Sequence, residues 1–287
     1  MLKSAVAQAA EAGTGGVASR DLQMTDQDFQ TICALIHRHA GIALAPHKKE
    51  MVYSRLARRL RHYGMTRFKD YLALLQRPNS DEWEAFTNAL TTNLTSFFRE
   101  AQHFDVMADY VKNLKHAPRI WSCAASTGEE LYSIGMTLYE TLGPAAAQAT
   151  VIGTDIDTQV LTKARQGVYP LEGARGVGEA RLRRFFLRGR GDKAGLVRVS
   201  RELLELIDFR RLNLLDAQWD IKGPFDIIFC RNIMIYFDHD TQTQLLDRIA
   251  DFLAPGGLFF AGHSENFSAQ TRKMKLIRNT VYRRLDE

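Results

Sequence analysis

The stretch I-W-S-C-A-A-S-T-G-E-E, residues 120–130, decides how this chain is read. It opens as a short apolar strand, passes through a turn of small side chains and ends on a helix start that carries two acids. Small side chains let a backbone approach a ligand closely, and the free N–H groups of a helix start attract an anionic group. One glycine, Gly128, stands where a G-x-G-x-x-G loop has three, which disfavours a dinucleotide pyrophosphate. Any turn from strand to helix needs small residues, so the string alone points to a βα unit and no further. Glu129 and Glu130 admit two readings, complement to the helix dipole or partner to a ligand ammonium.

Working outward, short apolar strands alternate with helical stretches. Strands are expected at Arg119–Ala125, Thr150–Thr154, Leu206–Arg210, Phe225–Cys230 and Gly257–Ala261, with helices at Glu129–Leu142, Thr158–Gln166 and Thr241–Leu253. That alternation predicts an α/β fold, a Rossmann-like doubly wound parallel sheet whose ligands sit at the carboxyl ends of the strands. Residues 168–205 interrupt it, with R-G-R-G-D-K-A-G at 188–195 ahead of Leu196–Val199. An inserted antiparallel hairpin or small sheet fits this stretch, and so does a long surface excursion. Upstream, from Thr25 to about Leu90, apolar residues recur at helical spacing, as in Phe29, Ile32, Cys33 and Ile36 or Tyr71, Leu72 and Leu75. A small all-helical domain is expected there, punctuated by Thr25, Pro46 and Gly64. The division that follows is a disordered tail over 1–20, a helical domain over 21–90, a linker over 91–100 and an α/β domain over 101–287 with a β subdomain inserted at about 168–205.

Composition narrows the class. The chain has 287 residues, 45% of them hydrophobic, enough to bury a sizeable core. No apolar run approaches the roughly 20 residues that cross a bilayer, and the Ala/Gly-rich leader lacks the apolar block of a secretory signal. Cys33, Cys123 and Cys230 are far apart and form no C-x-x-C pair, so neither a disulfide framework nor a zinc site is suggested, and a reducing cytoplasm is expected. The net charge of +5 is local: eight basic residues and one acid, Glu50, fall between Lys48 and Lys69. On a helix, Val52, Leu56, Leu60 and Tyr63 share one stripe, leaving Arg55, Arg58, Arg59, Arg61 and His62 as a basic face. Such a face is either simply solvated or a dock for an acidic partner.

The other strand ends carry polar residues suited to a ligand. Asp155, in G-T-D-I-D, stands where a carboxylate accepts hydrogen bonds from ribose hydroxyls, while Asp157 reads as the cap of the next helix. Asn213, in R-L-N-L-L, could read an adenine edge or form a turn. The run from Phe225 places Arg231, Asn232 and Tyr236 at the cleft edge, and a buried arginine there requires a partner.

Taken as exact strings, C-A-A-S-T-G-E-E, D-I-D-T-x-V-L-x-K-A-R, G-P-F-D-x-I-F-C-R-N-x-M-I-Y-F, G-H-S-E-N-F and N-L-T-S-F-F-R-E at 93–100 resemble the chemotaxis receptor methyltransferases, the CheR family. The likeness runs from Thr25 to Leu285. It implies an S-adenosylmethionine pocket lined by Asn93, Thr95 and Arg99 from the linker, Glu130 for the methionine amino group, Asp155 for the ribose, Asn213 and Leu214 near adenine, and Cys230 with Arg231. Glu129 is an adjacent alternative to Glu130. Arg99, Arg231 and Tyr236 are implied near the reacting centre, with no metal and with S-adenosylhomocysteine as product. It also implies that glutamate side chains of membrane-bound chemoreceptors are esterified by a cytoplasmic enzyme recruited to receptor arrays. Arg55, Arg58 and Arg59 then dock the acidic receptor helix, and the inserted sheet could take a receptor's C-terminal tail as an added strand.

Two rivals weaken on the same residues. Nucleic-acid methylation fits the basic charge, but the fourth strand ends in C-R-N-I-M-I-Y and no aromatic platform accompanies the basic helix. A hydrolase reading of G-H-S-E-N lacks a histidine after Ser264, so His263 and Ser264 are expected in a turn beside the cleft.

Overall fold

The structure, a computed structural model, describes residues 22–286; the tail expected over 1–20 lies outside the described residues. Four helices come first: α1 (Asp26–Ala40), α2 (Lys49–His62), α3 (Phe68–Leu75) and α4 (Glu82–Leu90). Thr25 starts α1 with a reciprocal cap, its hydroxyl accepting from the Asp28 N–H while the Asp28 carboxylate accepts from the Thr25 N–H. The apolar faces close on Ile32, Ile36, Leu56, Leu60, Phe68, Tyr71 and Phe86. Val52, Leu56 and Leu60 form the buried stripe of α2, but Tyr63 leaves it. Its ring is 41% exposed and its hydroxyl donates to Glu82.

Beyond an irregular stretch, the α/β part runs α5 (Gln102–Lys112), β1 (Arg119–Ser122), α6 (Glu129–Leu142), β2 (Thr150–Asp155), α7 (Thr158–Gln166), β3 (Val168–Pro170), α8 (Leu171–Ala174), α9 (Glu179–Phe185), β4 (Phe186–Arg188), β5 (Leu196–Val199), α10 (Arg201–Leu206), β6 (Ile207–Arg211), β7 (Phe225–Cys230), α11 (His239–Phe252), β8 (Leu253–Ala261), β9 (Met274–Arg278) and β10 (Val281–Arg284). Seven strands make one sheet in the order β6-β2-β1-β7-β8-β10-β9, parallel from β6 to β8. Every residue of β7 is buried, as a strand covered on both faces requires. The one charge in it, Asp226, accepts from the Arg119 N–H at 2.8 Å. Apolar layers flank the sheet on its two faces, one including Leu131, Ile134 and Phe229, the other Trp121, Ile228 and Leu246.

Three differences from the expected pattern have physical causes. The sheet is mixed, because β10 and β9 add antiparallel strands at the β8 edge through a tight return at Thr280, a signal that βα alternation does not carry. The strand expected to reach Ala125 stops at Ser122, since Cys123–Thr127 form the turn. β8 starts at Leu253, ahead of the expected Gly257, where its pairing with β7 shifts register. Within 168–205, the small sheet is the reading that holds: β3, β5 and β4 pair antiparallel. The linker seals it, with Phe97 packed edge-on against Tyr169 and Phe186 at centroid distances of 4.9 and 5.5 Å. Among the described residues no helix is long and apolar enough to cross a membrane.

Candidate functional site

A cleft of about 350 Å³ opens at the carboxyl ends of β1, β2, β6 and β7, within the range of roughly 300–1,000 Å³ usual for small-molecule sites. Its floor is the turn after β1. Gly128 sits there at φ +97°, and a Cβ would stand 3.0 Å from both Ala164 Cβ and the Tyr169 hydroxyl, so both the backbone angle and the space call for glycine.

The two acids that follow diverge. Glu129 turns aside to accept from the Thr127 hydroxyl at 2.6 Å, whereas Glu130 lines the cleft. Glu130 accepts from the Ser122 hydroxyl at 2.9 Å, and its second oxygen lies 3.4 Å from Arg231 Nη1. Burial raises its pKa above the ordinary carboxylate range, and the Arg231 charge only partly opposes this. Asp155, at the end of β2, accepts from the Ser126 N–H at 2.8 Å and the Asp157 N–H at 2.9 Å, one bond to each oxygen. Burial still pushes it up to about 6. Both acids are therefore desolvated beyond what their protein partners offset, a condition that hydroxyl donors or a cation on a ligand would relieve.

The linker wraps this floor. Asp157 caps α7 through the Gln159 and Val160 N–H groups, and its other oxygen accepts from Thr91 at 2.7 Å and from the Asn93 amide at 2.8 Å. Asn93 thus lines the cleft while its amide group latches the linker to the α/β domain. Thr95 and Arg99 also line it, and Arg99 Nη1 donates to the Leu94 carbonyl at 3.1 Å.

One expected site residue stands back from the cleft, and two others line it with polar groups already partly engaged. Cys230 is fully buried among the apolar residues beside β7, with its thiol against that of Cys123, and Cys123 is the one that reaches the cleft. Asn213 lines the cleft, and its amide also forms the expected turn, donating one N–H to the His39 carbonyl at 2.8 Å and accepting from the Leu215 N–H at 3.0 Å. Arg231 is buried with its side chain 2% exposed, between Glu100 Oε2 at 3.5 Å and Glu130, and it donates to the Arg99 carbonyl. The guanidinium therefore tethers the linker through Nη2 and sits between two acids at the cleft lining, while Nε and Nη1 make no hydrogen bond among the described residues. Leu214 and Tyr236 both line the cleft, Tyr236 on a short 3₁₀ turn, half exposed.

Other contributors were not singled out from sequence. Glu265, in G-H-S-E-N-F, accepts from the Asn232 and Gly262 N–H groups at 3.0 and 2.6 Å and so shapes the loop carrying Tyr236. His263 and Ser264 lie in the turn just before it. The helical domain supplies a wall of Ile42, Ala43, Leu44, Lys48 and Met51, fastened where the Ala43 N–H donates to the Tyr236 carbonyl at 2.8 Å. Pattern reading assigns that domain only to docking, because the loop that reaches over has no motif of its own.

The basic face also differs from expectation. Arg55 donates to the Ala89, Leu90 and Thr91 carbonyls, closing the end of α4. Arg59 makes a two-pronged pair with buried Glu82 at 2.7 Å. Both are half buried and structural, while Arg58 and Arg61 remain exposed. The reason is Glu82, an acid on α4 facing α2, which a helical-wheel reading of α2 alone does not see.

Comparison with known proteins agrees with this architecture. Residues 27–91 match the CheR methyltransferase, all-alpha domain, and residues 93–283 the CheR methyltransferase, SAM binding domain. The chemotaxis protein methyltransferase of Escherichia coli K12 is 53% identical over 91% of this chain and 92% of its own. The chemotaxis protein methyltransferase 2 of Pseudomonas aeruginosa is 49% identical over 92% and 95%. Among solved structures, the glycopeptide N-methyltransferase MtfA complexed with sinefungin is 14% identical with a TM-score of 0.38, over 67% of this chain and 60% of that one. With both domains matched in order and a cleft whose buried acids suit the cofactor, the chain belongs to the CheR family of S-adenosylmethionine-dependent methyltransferases.

Proposed function

We propose that this enzyme transfers a methyl group from S-adenosylmethionine to glutamate side-chain carboxylates of bacterial chemoreceptors, forming methyl esters. The observation that carries the reading is the chemistry of the cleft's outer lining. Its exposed and half-exposed groups include Lys48, Arg99 and the Tyr236 hydroxyl, which attract and orient an anion, while its two acids lie deeper. The relatives' name, chemotaxis protein methyltransferase, supplies the receptor context.

Bound S-adenosylmethionine supplies an electrophilic methyl on a sulfonium. A glutamate, with an ordinary value near 4.3, arrives already ionised, so no residue has to take a proton from it. The protein's work is alignment and exclusion of water. Glu130 would hold the amino group and Asp155 the ribose hydroxyls, with Ile156 and Leu214 forming apolar walls. Arg99 is assigned to steering the incoming carboxylate, and Tyr236 to donating a hydrogen bond to it.

Arg99→Ala and Tyr236→Phe are therefore expected to reduce methyl transfer about ten- to a hundredfold while cofactor affinity changes less than about threefold. Single-turnover transfer to receptor-bearing membranes, beside calorimetry with S-adenosylhomocysteine, separates the two. A loss confined to binding makes them cofactor contacts instead.

For receptor docking, Arg58 is kept and Arg61 takes the place of Arg55 and Arg59, which are engaged inside the helical domain. Reversing both to Glu is expected to raise the receptor KM several-fold and flatten its dependence on salt, leaving cofactor affinity unchanged. A wild-type salt response in the folded double variant makes the face merely solvated. The inserted sheet, whose edge strand β4 carries Leu187 at 64% exposure, remains the proposed seat for a receptor tail added as a strand.

A further inference from the structure

We propose that Glu100, His103 and His263 form a site for one divalent transition-metal ion of the zinc class, outside the methyl-transfer cleft and coupled to it through Arg231. One ligand atom from each residue lies within 4.8 Å of the others. Glu100 ends the linker, His103 lies in the first turn of α5, and His263 is in the turn after β8, so an ion here would pin three separate segments.

Two of the ligands are built for it. The Glu100 side chain is 8% exposed and that of His103 is 1% exposed. Yet Glu100 Oε2 and His103 Nδ1, both buried, find no hydrogen-bond partner among the described residues. They face each other at 3.5 Å. Ligand atoms held at about 2.0–2.2 Å around a tetrahedral zinc stand roughly 3.4 Å apart, so the pair is already at coordinating separation. The other ring nitrogen of His103 lies 3.0 Å from the Thr280 hydroxyl. With the ring hydrogen on that side, the Nδ1 lone pair is left pointing at Glu100, as outer-shell partners arrange for metal-bound imidazoles.

His263 completes the set. It is exposed, its backbone N–H donates to Glu100 Oε1 at 3.2 Å, and its ring, whose Nε2 meets the Gln102 amide, has a nitrogen within 4.8 Å of the other two ligand atoms and need close by at most about 1.4 Å to reach coordinating distance. Two imidazoles, one carboxylate and a water entering from the exposed side are a ligand set that zinc accepts. The ion takes no part in methyl transfer. Its effect is electrostatic: Glu100 Oε2 is also 3.5 Å from Arg231 Nε, so an ion that claims this oxygen turns Arg231 toward Glu130. Arg231 then competes with the cofactor amino group, and zinc and cofactor oppose each other.

The test uses the untagged full chain, stripped of metal with a chelator and titrated with Zn²⁺ against a fluorescent zinc indicator. About one equivalent is expected to bind, weakened at least tenfold in His263→Ala, whose exposed position leaves the fold intact by circular dichroism. Glu100→Gln, an isosteric change, should weaken it likewise. Saturating zinc is expected to raise the dissociation constant for S-adenosylhomocysteine several-fold in the parent chain and not in His263→Ala. Absence of a one-equivalent site, or equal zinc binding by parent and His263→Ala, overturns the site. One bound zinc with unchanged cofactor affinity overturns the coupling.

Discussion

Asp155→Ala is expected to weaken cofactor binding at least about a hundredfold with little change in overall fold. Each hydrogen bond to a charged group contributes about 1.5–3 kcal/mol, so losing two ribose hydroxyl bonds removes roughly 3 kcal/mol or more, beyond two decades of affinity. The alanine also strands the Ser126 and Asp157 N–H groups that the carboxylate now accepts from, which loosens the turn beneath the ligand. Calorimetry with S-adenosylhomocysteine measures the loss, and unchanged affinity removes Asp155 from the site.

The same residue sets a pH dependence. Burial holds it at about 6, above the ordinary 3.8. Its ionisation therefore disfavours the ligand-free fold above pH 6, and that penalty fades as pH falls through 6 toward 3.8. Ligand hydroxyls need the ionised acceptor, so affinity should fall as pH drops below 6, by up to about tenfold per unit from this group. Asp155→Asn should bind weakly and remove that share of the slope.

Arg231→Met is expected to cost about 3–5 kcal/mol of stability, the range typical when one partner of a buried ion pair is removed. Methionine keeps much of the side-chain volume, so little of the loss comes from a cavity. What remains are Glu100 and Glu130, with side chains 8% and 14% exposed, facing each other without their shared cation. The defect should deepen as pH rises and Glu130, whose pKa burial raises, ionises beside Glu100, and Glu100→Gln in the same chain should recover part of it. Urea unfolding monitored by circular dichroism gives the difference. A midpoint unchanged at both pH 6 and pH 8 shows that Arg231 does not compensate these acids.

Much of the fold is legible because its signals are local. The alternation of buried strands and capped helices predicts the parallel sheet, and Asp157 reads correctly as a cap because an aspartate before T-Q-V-L has few other uses. What escapes is whatever depends on a distant partner. Arg55 and Arg59 look like docking charges until α4 brings the Ala89–Thr91 carbonyls and Glu82 against them. The bond from Asn213 to the His39 carbonyl is invisible until the end of α1 arrives over it. Cys230 sits at a strand end by pattern, but alternation along β7 turns its thiol away from the ligand, and only the register with β1 and β8 shows which way each residue faces. Glu265 escapes for another reason, since its motif is conspicuous but its task is to hold backbone far along the chain.

The bond between the Ala43 N–H and the Tyr236 carbonyl, with the Ile42–Leu44 loop forming one wall of the cleft, bears on modularity. The helical domain is part of the cleft and cannot be exchanged without changing it. A chimera that imports another relative's residues 21–90 also imports a foreign wall for the cleft, so a change made in the helical domain is inherited by the cofactor site as well.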